Sequence, residues 1–154
     1  MKPRFLAALA FAIALAAPLL FARGSAADEA VLYEFEGSFE DAAFLAKEAI
    51  VGQGLKIDYI SHVGDMLART KDDVGGTKDI FAHAEIYVFC SAAISRRAME
   101  KDPKNIAHCP YNLFVIQMSG EGGKVYVGHR DLPDGSMSEA EELLQKIAKE
   151  VAGM

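Results

Sequence analysis

The stretch Ala82–Cys90, AHAEIYVFC, dominates the fold prediction because a strong strand pattern stops abruptly at a cysteine. Its β-branched and aromatic residues favour a strand. Strand alternation places Tyr87 on one face and Cys90 on the other. The helix-forming run SAAISRRAMEK, Ser91–Lys101, follows without a linker. The sequence therefore predicts a strand that passes directly into a helix, with Cys90 at the junction.

The same patterns, read outward from this junction, predict seven further elements. Period-2 runs indicate strands, and apolar residues at helical spacing indicate helices. The predicted strands are Ala30–Phe35, Leu55–Ser61, Ala82–Cys90, Tyr111–Met118 and Lys124–Arg130. The predicted helices are one capped by Ser38 and ended by Gly52, Val63–Thr70, one from Ser91 to about Lys101, and one that starts at Ser138. The order is β-α-β-α-β-α-β-β-α, and its strand-strand hairpin requires antiparallel pairing. We expect a two-layer α+β domain with one mixed or antiparallel sheet and helices packed on it.

Local signals set several helix ends. Ser38 followed by Asp41 predicts a weak capping box, and Gly52 ends that helix. Ser138 followed by Glu141 predicts a second capping box for the last helix.

The N-terminus has the three-part plan of a secretory signal. Lys2 and Arg4 precede an apolar run, Phe5–Phe21, and a polar segment then ends on small residues. We expect cleavage after Ala27, with an uncleaved membrane anchor as the alternative. The remaining chain, residues 28–154, has the length of one domain. The protein is expected to be periplasmic or secreted, with no membrane span after cleavage.

The charge balance argues against polyanionic partners. Residues 28–154 carry 13 basic and 22 acidic side chains, a formal charge of −9. Such a chain repels nucleic acid and anionic membrane surfaces. The expected partner is therefore a small ligand or a periplasmic protein, and exposed edge strands are compatible with a homodimer.

The two cysteines allow three interpretations. Two cysteines in an exported protein favour a Cys90–Cys109 disulfide. Closing that loop would stabilise the fold by about 3 kcal/mol. Alternatively, Cys90 at the N-cap of a helix beginning at Ser91 would have a lowered pKa. Cys90 would then attack and Cys109 resolve in a thiol-redox protein.

The third interpretation is a metal site. His108 directly precedes Cys109, and sulfur with imidazole suits copper or zinc. The candidate ligands are His108, Cys109 and Cys90, although no CxxC or HxxxH spacing supports them. His62 and His129 are isolated, and we expect them to lie at the surface or at its rim.

The sequence resembles the family known as domain of unknown function DUF302. The resemblance rests on HVGDMLART, on IFAHAEIYVFCSAAISRRAMEKDPKNIAHCPYNLFVIQ and on GKVYVGHR, and it spans about Val31 to Asp131. It implies a compact α+β domain and no established activity. Many members place a proline before the second cysteine, whereas here Cys109 precedes Pro110. A shift of one position would place the sulfur on the other strand face, which weakens the inference of a Cys–Cys contact from the family.

No catalytic motif is recognised, and the sequence favours a non-enzymatic role. There is no GxSxG, no P-loop and no GxGxxG after a strand. We therefore predict an exported domain that binds a small ligand, metal or partner beside a disulfide-linked Cys90. The candidate ligand-binding residues are Cys90, Ser91, Tyr87 and Arg97. The alternative is the thiol-redox protein described above.

Overall fold

The computed structural model describes residues 30–154, so the predicted signal peptide lies outside the described residues. The elements, in chain order, are β1 (Ala30–Phe35), α1 (Phe39–Gly52), β2 (Ile57–Ser61), α2 (Val63–Thr70), β3 (Phe81–Phe89), α3 (Ala92–Lys101), the 3₁₀ helix η1 (Pro103–His108), β4 (Tyr111–Met118), the short 3₁₀ turn η2 (Glu121–Gly123), β5 (Val125–Arg130) and α4 (Ser138–Val151). The predicted α+β class and the order of strands and α-helices are confirmed. The two 3₁₀ elements were not predicted.

The strands form one antiparallel sheet. Its five strands lie in the order β1-β5-β4-β3-β2. Because β1 pairs with β5, the first strand forms one edge of the sheet, next to the hairpin of β4 and β5. The two strands of the cysteine region, β3 and β4, are central neighbours, and Phe89 pairs with Tyr111.

One face of the sheet carries the hydrophobic core. α1 and α4 cover it with small and aliphatic side chains, including Ala46 and Ile147, which are fully buried. Tyr87 and Phe89 point into the same core from β3. The strand alternation predicted for this segment is therefore confirmed, and the neighbouring Ile86 and Val88 occupy the second face.

The predicted N-terminal cap is confirmed for α1 and is wrong for α4. Ser38 Oγ accepts a hydrogen bond from the Asp41 amide at 3.0 Å, as predicted. The capping box at Ser138 is wrong, because Met137 is the N-cap and makes no side-chain cap bond. Glu141 instead accepts a hydrogen bond from the Leu132 amide at 3.0 Å. The Glu141 carboxylate, which the sequence spacing assigned to the N-terminus of α4, therefore binds the loop that precedes α4.

Within residues 30–154, no helix is long and apolar enough to cross a membrane.

Candidate functional site

Cys90 lies between β3 and α3, where the chain leaves the sheet. β3 ends at Phe89, and the N-cap of α3 is Ser91, whose Oγ accepts a hydrogen bond from the Ile94 amide at 3.4 Å. The prediction that Cys90 is the N-cap is therefore wrong by one residue. A serine hydroxyl caps the helix better than a thiol because it is the stronger hydrogen-bond acceptor.

Cys109 lies beside Cys90, although it belongs to a different segment of the chain. It follows η1 and precedes β4, and its Sγ lies 3.1 Å from Cys90 Sγ. Both residues are partly exposed free thiols. A disulfide bond would be about 2.05 Å long, so the structure is that of the dithiol. The order Cys109–Pro110 does not prevent this contact, because Cys109 lies outside β4 and strand alternation does not govern its direction.

The environment of Cys90 disfavours a thiolate. Burial, followed by the hydrogen bond to the Cys109 thiol and the charge of Cys109, raises the pKa of Cys90 to about 11. A hydrogen bond from the Tyr111 backbone acts in the opposite direction and is outweighed. This contradicts the expectation of a lowered pKa, because burial and a second thiol at contact distance have more influence than a helix that begins beyond Ser91.

Two residues that sequence reasoning missed complete the group. The Ser95 hydroxyl lies 3.7 Å from Cys109 Sγ and donates a hydrogen bond to the Tyr111 hydroxyl at 3.1 Å. We call Cys90, Cys109, Ser95 and Tyr111 the cysteine junction. Ser95 lies four residues after the cap Ser91, and this spacing places both residues on one side of α3. This was the signal in the sequence that could have identified Ser95.

Alkylation of the reduced protein tests this electrostatic environment. With a pKa of about 11, Cys90 should react with iodoacetamide at pH 8 about 100-fold more slowly than a thiol of ordinary pKa. Peptide-resolved mass spectrometry across pH 7–11.5 should give a rate that rises towards the upper end of this range. Cys109→Ala should shift the profile to lower pH, because it removes two of the causes that raise the pKa. A Cys90 profile that matches glutathione would contradict the assignment.

The other predicted ligand-binding residues have partners within the protein. Tyr87 is fully buried, and its hydroxyl donates a 2.6 Å hydrogen bond to Glu85 Oε2. Burial, and then Glu85, raise the pKa of Tyr87. Arg97 is exposed and forms an ion pair with Glu139 at the start of α4. Tyr87 and Arg97 therefore have structural partners, and only Cys90 and Ser91 remain together at the strand–helix boundary.

The predicted metal ligands are only partly assembled. Among residues 30–154, no group of three or more His, Cys, Asp or Glu side chains is arranged to hold a metal ion. The two sulfurs meet, but His108 does not join them as a third ligand in such a group. Binding of copper or zinc by Cys90, Cys109 and His108 stays a prediction without geometric support.

The histidines expected at the surface have different environments. His62 is largely exposed, with Nδ1 3.1 Å from a carboxylate oxygen of Glu85. His129 is fully buried, so the expectation of a surface position is wrong for it. Its Nδ1 lies 2.9 Å from the Arg130 carbonyl oxygen and must carry the proton, since a carbonyl only accepts. The α4 residue Glu141 lies 3.8 Å from the same nitrogen.

A separate apolar groove lies on the second face of the sheet, and we call it the sheet groove. Its floor is formed by Ile86, Phe114 and Ile116. One side is formed by β1 through Ala30 and Leu32, and the other by Val63 and Phe81. Its volume is about 360 Å³, within the range of about 300–1,000 Å³ typical of small-molecule sites.

Gly128 lies between two residues that line this groove. It pairs with Leu32 on one side and Phe114 on the other. A Cβ at this position would lie 2.6 Å from the Phe114 ring and 2.5 Å from the Val31 carbonyl oxygen. The absence of a side chain therefore allows the ring to lie across the neighbouring strand.

Comparisons with known proteins identify the family. A family model described as "Domain of unknown function DUF302" matches residues 31–154. No curated protein matches the chain. The chain is similar in structure to an uncharacterised conserved DUF302 protein from Bacillus stearothermophilus, with a TM-score of 0.57 and 16% identity over 80% of this chain and 93% of that chain. That likeness supports the fold, and the family match covers nearly all of the described residues: the chain belongs to the DUF302 family.

Proposed function

We propose that this protein is an exported, non-catalytic binding domain in which Cys90 and Cys109 form a structural disulfide. The observation that carries the disulfide is the distance of 3.1 Å between the two sulfur atoms. Oxidation would remove two electrons and two protons, which a disulfide-exchanging oxidoreductase of an oxidising compartment can accept. The bond would join the β3–α3 junction to the start of β4.

The raised pKa of Cys90 supports a permanent bond over a reversible one. Strongly oxidising protein disulfides have a reduced form that is stabilised as a low-pKa thiolate. At the cysteine junction, burial and the second thiol favour the protonated form of Cys90. The reduced state therefore lacks the stabilisation that would give the bond a high potential.

Redox titration with alkylation and intact-mass analysis tests this proposal. We expect a loss of two mass units on oxidation and a reduction potential below about −300 mV, the range of structural disulfides. The Cys90→Ser variant should show no such change. A potential in the range of thiol oxidoreductases would instead support the second candidate function, thiol redox, which the contact between two partly exposed sulfurs favours.

Export is part of the same proposal and has its own test. The sequence pattern of residues 1–27 motivates it. Expression of the full chain in a bacterium with a periplasm should yield a periplasmic protein whose N-terminal residue is Asp28. Recovery of an intact N-terminus in the membrane fraction would support the uncleaved anchor instead.

A further inference from the structure

The sheet groove ends at polar side chains on the same face of the sheet. Ala30, which lines the groove, pairs with Arg130. Arg130 lies two residues beyond Gly128, so strand alternation directs it to the groove face, and it is exposed. Asn112 lies two residues before Phe114 and is partly exposed on that face. One end of the apolar surface thus carries a guanidinium and a carboxamide.

The sheet groove is wide enough to hold an extended ligand. Its lining residues come from the strands β1, β4 and β3 and from Val63 of α2, and β5 lies between β1 and β4. At a strand spacing of about 4.8 Å, this width corresponds to roughly 14 Å. The floor and sides are entirely apolar, which excludes a highly polar ligand from the body of the groove. Leu32 is 48% exposed at its edge, so the surface is accessible from solvent.

We propose that the sheet groove binds an aliphatic carboxylate, with the hydrocarbon chain along Phe114 and Ile116 beside Leu32 and the carboxylate at Arg130 and Asn112. Burial of the chain supplies the affinity. A guanidinium has several N–H donors, so Arg130 can hold a carboxylate in addition to its contacts within the protein. The complementary charge at one end distinguishes this occupant from a purely apolar one. This inference rests on the proposed binding function, and it places the hydrocarbon chain in the sheet groove, whose lining includes neither cysteine.

Titration with dodecanoate and dodecanol tests separately whether the groove binds the hydrocarbon chain and whether Arg130 binds the carboxylate. We expect saturable one-to-one binding of dodecanoate, followed by NMR shifts of the amides of β1, β4 and β5. Leu32→Glu should weaken dodecanoate binding at least 10-fold, because it puts a carboxylate at the groove edge. Val51→Glu is the matched control, since Val51 is 56% exposed on α1, and it should leave binding unchanged. Arg130→Gln should weaken dodecanoate binding several-fold and leave dodecanol binding unchanged.

Three results would overturn the proposal. They are absence of saturable dodecanoate binding by a folded protein, equal affinity in the Leu32→Glu variant, or equal effects of Arg130→Gln on dodecanoate and dodecanol. A dimer that Leu32→Glu dissociates, without dodecanoate binding, would assign the face to a second copy of the chain. The disulfide part of the proposed function is judged separately, because Cys90→Ser should not alter dodecanoate affinity.

Discussion

Gly128→Ala is expected to lower the free energy of unfolding by about 3 kcal/mol, near the upper end of the usual cost of overpacking. The added Cβ would meet the Val31 carbonyl oxygen at 2.5 Å and the Phe114 ring at 2.6 Å. The ring can rotate away, but the carbonyl belongs to the backbone of the paired strand β1. Relief of the clash therefore requires β1 to move away from β5. Urea denaturation monitored by circular dichroism measures the change.

Gly52→Ala is the matched control for this prediction. Gly52 is the last residue of α1, and no atom lies within 4 Å of a Cβ placed there. The same chemical change should be neutral or stabilising by up to about 1 kcal/mol, the helix preference of alanine over glycine. Equal effects of the two substitutions would show that contact with β1 does not explain the role of Gly128.

Oxidation of the cysteine junction is expected to raise the free energy of unfolding by about 3 kcal/mol. The disulfide would close the loop between Cys90 and Cys109 and so lower the entropy of the unfolded chain. The strain that opposes this gain should be small, because the sulfurs are already 3.1 Å apart as thiols. Denaturation of the protein with and without a reducing agent measures the difference.

The double variant Cys90→Ser, Cys109→Ser is the control for this experiment. Its stability should be independent of the reducing agent and close to that of the reduced wild-type protein. A wild-type stability that does not change with redox state, although mass spectrometry shows the bond, would contradict the structural role. Such a result would leave the disulfide without a stabilising function.

Secondary structure was largely predictable because its signals are local. The strands Ala30–Phe35 and Tyr111–Met118 and the helix Val63–Thr70 have the predicted bounds. Each of these segments has an apolar period that one type of element satisfies. η1, Pro103–His108, was missed because its residues carry no period and its cap is a single bond from the Lys104 amide to Asp102.

The candidate site was less predictable because its chemistry depends on distances between elements. Sequence position suggested a helix dipole acting on Cys90, whereas burial and the neighbouring thiol set its pKa. His129 looked like an isolated polar residue, but α4 covers it and brings Glu141 beside it. The sheet groove had no sequence signature, because its residues come from four separate segments.

The sequence by itself determined the α+β class, most strand and helix bounds, the place of Cys90 at the end of the clearest strand and the resemblance to DUF302. These follow from residue periodicity and from turn and cap residues, which act over a few positions. The tertiary structure alone decided the strand order, the contact between Cys90 and Cys109, the burial of His129 and the open apolar face. Strand pairing determines these features because it brings together residues that are far apart in the chain, such as Leu32 and Gly128.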